Sequence, residues 1–190
     1  MLFFVLCSAL LIACEPINPN GDQYVVSADD YYWYKGEKIY LERGNQEYII
    51  YDDALLSEID KEKLKSSQSV LDYEEPNLKW GTTKPNTVIE DLEHVLYRMP
   101  SYKFGGANMF VTHTFNVKLK DNNDLSILQN MAEQYNAKKV KEGPLPLRYL
   151  LVCNLPSSSN AMNIANRFYE SGKFEVSEPN FLGVWDEDTP

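Results

Sequence analysis

The sequence predicts an α+β fold, and three of its patterns indicate this class. Apolar and polar residues alternate over 111–120, which is the period of a strand with one buried face. Segments 124–135 and 160–172 instead have apolar residues at helical spacing, each behind a residue that caps helices well. Strand-like apolar runs separate these two segments. About 175 residues follow the apolar start of the chain, enough for one medium domain or two small ones.

The folded region is predicted to begin with a β-hairpin. Aromatic and β-branched runs at 31–34 and 38–41 flank a turn at Lys35-Gly36-Glu37, which is the hairpin pattern. A second turn at Gly44-Asn45 leads to a third strand at 48–51.

Two helices and a short strand are predicted next. The apolar residues of 55–65 have approximate helical spacing, and a short strand at 78–80 follows. Thr87 and Glu90 are spaced as in a capping box, where the hydroxyl and the carboxylate bond the free amides of a helix start. A second helix is therefore predicted over 87–95.

The order of helices and strands is clearer in the second half of the chain. A strand over 111–119 has its odd-numbered residues toward the core. The remaining elements are a helix from Asp124, an edge-like strand at 138–141, a turn at 143–146, a strand at 148–155, a helix from Asn160 to Gly172 and a strand from Phe174. The order β-α-β-β-α-β is that of a ferredoxin-like unit, with two helices on one face of a four-stranded sheet. The first half follows nearly the same order, so two tandem ferredoxin-like units and one unit behind a β-rich extension are both open.

The start of the chain is an uncharged apolar run that ends in Leu11-Ile12-Ala13-Cys14. The run is too short to span a bilayer, which takes about 20 apolar residues, but it suits a secretory signal. Its end resembles the lipobox of bacterial lipoproteins, which implies cleavage before Cys14, acylation of that cysteine and a lipid anchor in the cell envelope, outside the cytoplasm. The alternative is an ordinary signal peptide with a chance cysteine.

These patterns divide the chain into five predicted segments. They are a lipoprotein signal peptide over 1–13, a tether over 14–23, an N-terminal α+β region over 24–104, a ferredoxin-like domain over 105–183 and an acidic tail over 184–190.

Composition excludes some classes of partner. A net charge of −10 and a pI near 4.7 argue against nucleic acid, because phosphate binding needs clustered Lys and Arg. Beyond Cys14 the remaining thiol is Cys153, which lies in an apolar run and is predicted to be a small buried hydrophobe.

The sequence offers little for catalysis, metals or cofactors. Its two histidines are His94, near the end of a predicted helix, and His113, on the apolar side of a strand. They do not form a zinc ligand set, and the acidic pairs lack the spacing of a calcium loop. We therefore predict a protein that is not an enzyme and that has no metal or cofactor.

Residues near the C-terminus resemble a known family. Glu178-Pro179-Asn180-Phe181, behind a helix that ends in 169–174, is similar to the last strand of propeptides of subtilisin-like serine peptidases. Segments 32–39 and 115–120 are similar to the long pro-regions of some secreted, lipid-anchored subtilases. The resemblance covers nearly the whole chain after Cys14.

The resemblance implies a binding role. In that family the propeptide sheet packs on surface helices of the peptidase, and its C-terminal tail lies in the substrate cleft. The strand at 148–155 is apolar on both faces, so its outer face is covered either by the first half of the chain or by a partner. The candidate partner-binding residues are Thr112, Thr114, Leu150, Val152, Phe181, Leu182, Val184 and Trp185.

Three functions are compatible with this resemblance. The first is a lipid-anchored, propeptide-like protein that binds a subtilase as inhibitor or folding chaperone. The second is a truncated pro-region without separate activity, since the sequence stops at Pro190, about where a catalytic domain would begin, and has none of that domain's motifs. The third is a structural or adhesive surface lipoprotein, because a fold alone does not fix a function.

Overall fold

The computed structural model describes residues 30–70, 76–104, 107–143, 145–156 and 160–184. The predicted signal peptide and tether, with Cys14, and the tail from Trp185 onward lie outside these residues. The strands are β1 (Tyr31–Tyr34), β2 (Glu37–Tyr40), β3 (Glu42–Asp52), β4 (Leu64–Ser69), β5 (Leu78–Thr83), β6 (Val95–Phe104), β7 (Ala107–Leu119), β8 (Ala137–Glu142), β9 (Arg148–Cys153) and β10 (Phe174–Val184). The helices are α1 (Glu58–Lys61), α2 (Leu125–Gln134) and α3 (Ala161–Glu170), with 3-10 turns at Leu92–His94 and Asn122–Asp124.

Eight of the strands form one antiparallel sheet, and β1 and β2 form a separate hairpin. The sheet order is β4-β5-β3-β6-β7-β9-β8, with β10 on the other edge of β7. The mixed α and β content and the antiparallel pairing confirm the predicted α+β class. None of the described helices is long and apolar enough to cross a membrane.

The long strand β7 is the point where the sheet forks. One edge of β7 pairs with β10 from Asn108 to Leu119. The opposite edge pairs with β6 up to Phe110 and then with β9 from Thr114 onward. Tyr97 from β6 fills the gap between the two partners, because its hydroxyl donates to the Thr112 carbonyl at 3.0 Å. The same hydroxyl accepts the Ala161 amide at 3.1 Å, which ties the start of α3 to the fork.

Both ten-residue helices pack on one face of the C-terminal part of the sheet, whose strand order is β10-β7-β9-β8. Phe168 of α3 contacts Phe115, Tyr135 and Phe174 at ring distances of 5.2–5.9 Å. Asn160 caps α3 by accepting the Asn163 amide at 2.7 Å. Six of the predicted inward residues of these helices are buried in the same cluster: Leu128, Ala132, Ala161, Ile164, Ala165 and Phe168. The other two, Leu125 and Tyr135, are half-buried and pack against it.

The N-terminal part of the sheet is covered on both faces. Tyr48 and Ile50 of β3 belong to the main core, whereas the alternate residues Ile49 and Tyr51 form a second small cluster. Leu56 and Ile89 complete that cluster from the two connections that cross the face, so these connections bury apolar area without long helices.

The hairpin of β1 and β2 lies against α3. Trp33 stacks on Tyr169 with ring centroids 4.9 Å apart. Asn166 donates to the Tyr31 carbonyl at 2.7 Å, and the Glu170 carboxylate accepts from Tyr31 at 2.6 Å and from Trp33 at 3.1 Å. Aromatic residues near the start of the folded chain therefore cover the last helix.

Most predicted elements are confirmed. The hairpin, the strand at 78–80, the strand at 111–119 and the helices and strands after Asp124 all occur, with shifts of a few residues at their ends. The cap before α2 differs in detail. Asp121 and Asp124 form a capping box on the 3-10 turn, and Asp124 makes no side-chain cap bond to α2 itself.

Three predictions in the first half are wrong. Gly44-Asn45 is not a turn, because both residues lie within β3. The helix predicted over 55–65 is the single turn α1 followed by β4, and Ile59 is 72 % exposed instead of buried. The helix predicted over 87–95 is a 3-10 turn that leads into β6, with Val88 64 % exposed.

Of the two arrangements that the sequence left open, two tandem ferredoxin-like units do not match the first half of the chain. From Asp30 to Phe104 the described residues contain one short helix and no counterpart of α2 or α3. The alternative, a β-rich extension, matches the element order observed there. β6 and β7 pair across the predicted boundary between 104 and 105, so the extension and the C-terminal part share one sheet.

Candidate partner-binding face

The candidate site lies on the face of the sheet opposite to α2 and α3, which we call the outer face. Residues directly opposite each other on antiparallel strands share a face. Thr114 pairs with Val152, and Asn116 pairs with Leu150. Their neighbours Phe115 and Leu151 are fully buried in the main core. The outer face is therefore formed by Thr112, Thr114, Asn116, Leu150, Val152 and Asn180.

A row of hydrogen bonds crosses this face from β7 to β10. Asn180 donates from Nδ2 to the Thr114 hydroxyl at 2.8 Å and accepts at Oδ1 from the Asn116 amide. Thr112 bonds the Thr114 hydroxyl at 3.0 Å and the Asn180 carbonyl at 3.3 Å. These bonds orient the side chains before any partner arrives.

The predicted contact residues differ in their exposure. Thr112 and Leu150 are half-buried and present part of their side chains at the surface. Thr114 is 9 % exposed, and Val152 is fully buried. Of these four residues, Thr112 and Leu150 are thus the ones whose side chains reach the protein surface. The orientation predicted for all four matches the pairing register.

The residues after Asn180 belong to the fold. Phe181 pairs with Val111 and contacts the Tyr32 ring at 5.0 Å, and Leu182 pairs with Phe110. The strand β10 continues to Val184, whereas Trp185 lies outside the described residues. Phe181, which the sequence offered as a partner-binding residue, is therefore engaged within the chain.

Sequence reasoning missed two members of this face, Asn116 and Asn180. Asn116 continues the even-numbered series of Thr112 and Thr114 along β7, so the alternation could have identified it. Asn180 belongs to the sequence Glu178-Pro179-Asn180-Phe181, but its contact with β7 depends on an irregular register between Pro179 and Phe181. A register shift of this kind has no signal in a single sequence.

Three titratable groups in this part of the fold, Glu178, Cys153 and His113, are buried or half-buried. Burial raises the pKa of Glu178, and the charges of Arg148 and Lys35 partly offset this effect. Burial raises the pKa of the Cys153 thiol to about 12, so the thiol stays protonated at neutral pH. His113 is 6 % exposed, with Nδ1 3.4 Å from the Tyr48 hydroxyl, as expected for a core histidine.

The side chains of this face can form hydrogen bonds and apolar contacts. They are amides, hydroxyls and aliphatic groups. Among the described residues no group of three His, Cys, Asp or Glu side chains is arranged to hold a metal ion. Comparisons of the chain with protein-family models, with curated proteins and with solved structures find no match.

Proposed function

We propose that the chain is a lipid-anchored, propeptide-like protein of the bacterial cell envelope that binds a subtilisin-like serine peptidase as inhibitor or folding chaperone. Its C-terminal part is a ferredoxin-like unit, its anchor is the acylated Cys14, and it acts without catalysis or cofactor. The strand order β10-β7-β9-β8, with two helices on one face, supports the fold proposed for that unit.

The observation that carries the proposal is the outer face. Its hydroxyls and amides are oriented by mutual hydrogen bonds, and the half-buried Leu150 lies on β9 beside them. Prearranged side chains lower the ordering cost of association. A polar row beside an apolar residue also suits a partner surface built from helices, as the resemblance to subtilase propeptides implies.

The main test is inhibition of a subtilisin-like peptidase from the same cell. Leu150→Asp introduces a charge into the outer face. We expect this variant to weaken inhibition by about thirtyfold, the effect of losing roughly 2 kcal/mol at an interface hot spot. Leu145→Asp is the matched control, because Leu145 is 57 % exposed and lies outside the face. It should inhibit like the parent.

Circular dichroism must accompany this assay, because Leu150 also contributes to packing. Asn116→Arg adds bulk at a second, half-buried position of the face and should weaken inhibition in the same direction. A folded Leu150→Asp protein that inhibits as strongly as the parent would refute the proposal. So would a parent that neither inhibits nor assists the folding of any subtilase of its own cell.

The role of the tail requires a cut beyond the strand. Deletion after Asn180 would remove the pairing of Phe181 and Leu182 with β7, so it would perturb the fold. Deletion after Val184 removes Trp185 and the acidic residues and leaves β10 in place. We expect the shorter chain to remain folded and to inhibit less strongly. Unchanged inhibition would restrict the contact to the outer face.

The anchor is tested separately. Cys14→Ser should leave the protein soluble or unprocessed and without label from radioactive palmitate. A variant that stays in the membrane fraction would contradict lipidation. The proposed lack of peptidase activity is checked by incubating the pure protein with casein. Hydrolysis that a serine-directed inhibitor abolishes would overturn that part of the proposal.

A further inference from the structure

A cleft of about 330 Å³ lies between the hairpin and α3, away from the outer face. Its walls are Tyr31 of β1 and four residues of α3, namely Asn163, Asn166, Arg167 and Glu170. These four recur at helical spacing on one stripe of α3, so the helix itself aligns them. The volume is at the lower end of the range of about 300–1,000 Å³ that small-molecule sites have.

The contacts behind the cleft hold its wall in position. Glu170 accepts both the Tyr31 hydroxyl and the Trp33 indole at the same oxygen, Oε1. The hydrogen bond from Tyr31 is the main reason that the pKa of Glu170 is lowered, and Trp33 adds to it. The carboxylate therefore stays ionised, and its second oxygen can accept hydrogen bonds.

Asn166 adds a second acceptor to the wall. Its side chain is almost fully buried, and Nδ2 donates to the Tyr31 carbonyl. Among the described residues no group donates to Asn166 Oδ1, although this atom is buried. Buried acceptors without a donor are rare in proteins, and this one belongs to a residue that lines the cleft.

The wall of the cleft carries charges of both signs. Arg167 and Glu170 are its two charged residues, and the positive charge of Lys38, whose Nζ lies 3.9 Å from the Tyr31 ring centroid, also acts on Glu170. Because a carboxylate lies among these cations, the wall does not match the uniform charge of a strongly anionic ligand. Together the lining residues offer the amide of Asn163, the guanidinium donors and two kinds of acceptor, opposite an aromatic residue. Neighbouring donors and acceptors of this kind match the hydroxyl groups of a sugar ring, each of which can both donate and accept.

We propose that this cleft binds a neutral saccharide unit of a glycan. The site is separate from the outer face, so one molecule can hold a glycan and a protein partner at the same time. Binding of only strongly anionic ligands or peptides would mean that the cleft recognises a different class of ligand.

The test is binding of the purified full chain, labelled with a fluorophore, to an array of neutral and anionic oligosaccharides, with unrelated peptides as a further arm. We expect binding to neutral oligosaccharides. Arg167→Ala should lower the affinity for the best of them about tenfold or more, because it removes a charged hydrogen-bonding partner. Asn163→Ala should lower the affinity in the same direction by less, because its amide is neutral. Asn130→Ala, at an exposed position of α2, is the matched control and should bind within about twofold of the parent.

Arg167 and Asn163 are exposed, so neither substitution should change the thermal midpoint measured by circular dichroism. Peptidase inhibition should also be unchanged in both variants, because α3 and the outer face lie on opposite sides of the sheet. The proposal is overturned if no neutral oligosaccharide binds at about 1 mM. It is equally overturned if binding is confined to anionic glycans or peptides, or if Arg167→Ala binds like the parent.

Discussion

Asp60 illustrates how a single residue joins two segments that sequence reasoning treated separately. Its side chain is 2 % exposed and accepts Lys63 Nζ at 2.6 Å. It also accepts the backbone amides of Glu90 at 3.3 Å and Asp91 at 2.8 Å. Burial alone would raise the pKa of Asp60, but these bonds outweigh it and lower the pKa below its ordinary value of 3.8.

Replacement of this carboxylate should reduce stability in a way that depends on pH. Asp60→Asn weakens the bonds to Lys63 and to the two amides, so we expect a loss of about 1–3 kcal/mol at pH 7. Because the folded-state pKa is depressed, the contribution of the carboxylate is complete above the unfolded value. It is lost as the pH falls below 3.8 toward the folded value. Urea midpoints of parent and variant at pH 7, 5 and 3 measure this difference.

Glu58→Gln is the control at the same helix. Glu58 pairs with Lys61, but its side chain is 86 % exposed, so its removal should not change the midpoint beyond experimental error. A gap between parent and Asp60→Asn that is equally large at pH 7 and pH 3 would contradict the assignment of the stabilisation to the ionised carboxylate.

At the scale of elements, local signals predicted the second half of the chain well. The two long helices combine capping residues with an apolar stripe, and both properties are local. The first half lacks this agreement. Leu55, Ile59 and Val88 are spaced like the apolar face of a helix, yet each is more than half exposed. Packing against β3 determines the conformation of these segments, because Leu56 and Ile89 contact Ile49 and Tyr51 in one cluster.

Gly44 shows why a turn was predicted inside a strand. A Cβ at this position would lie 2.3 Å from Ser101 Oγ and 3.3 Å from Asn108 Oδ1. The glycine thus permits a close approach of β3 to its neighbours and does not make a turn. We expect Gly44→Ala to lower the free energy of unfolding by about 1–3 kcal/mol, because the buried Ser101 must move.

The matched control is Gly183→Ala in β10, where a Cβ would meet no atom within 4 Å. Its unfolding free energy should equal that of the parent within about 0.5 kcal/mol. Chemical denaturation of both variants gives the comparison. Equal effects of the two substitutions would contradict the assignment of the cost to the contact with Ser101.

At the scale of the whole molecule, one core joins both parts of the chain. Ile50 in β3 and Phe168 in α3 are fully buried in the same cluster. Ile50→Ala and Phe168→Ala should therefore each destabilise the entire chain, by about 2–5 kcal/mol for such large-to-small changes. Circular dichroism and tryptophan fluorescence should report a single coincident transition for the parent and both variants. Two separate transitions would mean that the parts unfold independently.

The candidate site was only partly predictable, because the sequence pattern shows which face a residue lies on but not what covers that face. Alternation along β7 and β9 assigned Thr112 and Leu150 to the outer face correctly. It could not show that Val152 is buried there, because burial depends on what covers a face and not on its period. The cleft beside α3 had no sequence signal, since it arises where residues of β1 meet a helix about 130 positions later in the chain.

The fork in β7 has a consequence for the interior of the molecule. Where β6 and β9 diverge, the backbone of Thr112 has no neighbouring strand on that edge, and the hydroxyl of Tyr97 bonds its carbonyl instead. Burial raises the pKa of Tyr97 well above its ordinary value, so the hydroxyl keeps its proton. A side chain thus acts as a surrogate peptide group: it donates to one backbone segment and accepts from another, as an amide unit of a strand would.

Tyr97→Phe removes this surrogate and preserves the ring. The Thr112 carbonyl and the Ala161 amide would then both lose a partner, at a cost of about 2–4 kcal/mol. The Ala161 amide should exchange with deuterium much faster in the variant than in the parent. The exchange rates of amides in the middle of β3 should change only as much as the global stability changes. Unchanged exchange at Ala161 would contradict this role. The sheet divides where β6 and β9 separate, and the Tyr97 hydroxyl therefore replaces the backbone hydrogen bond that is absent at this point.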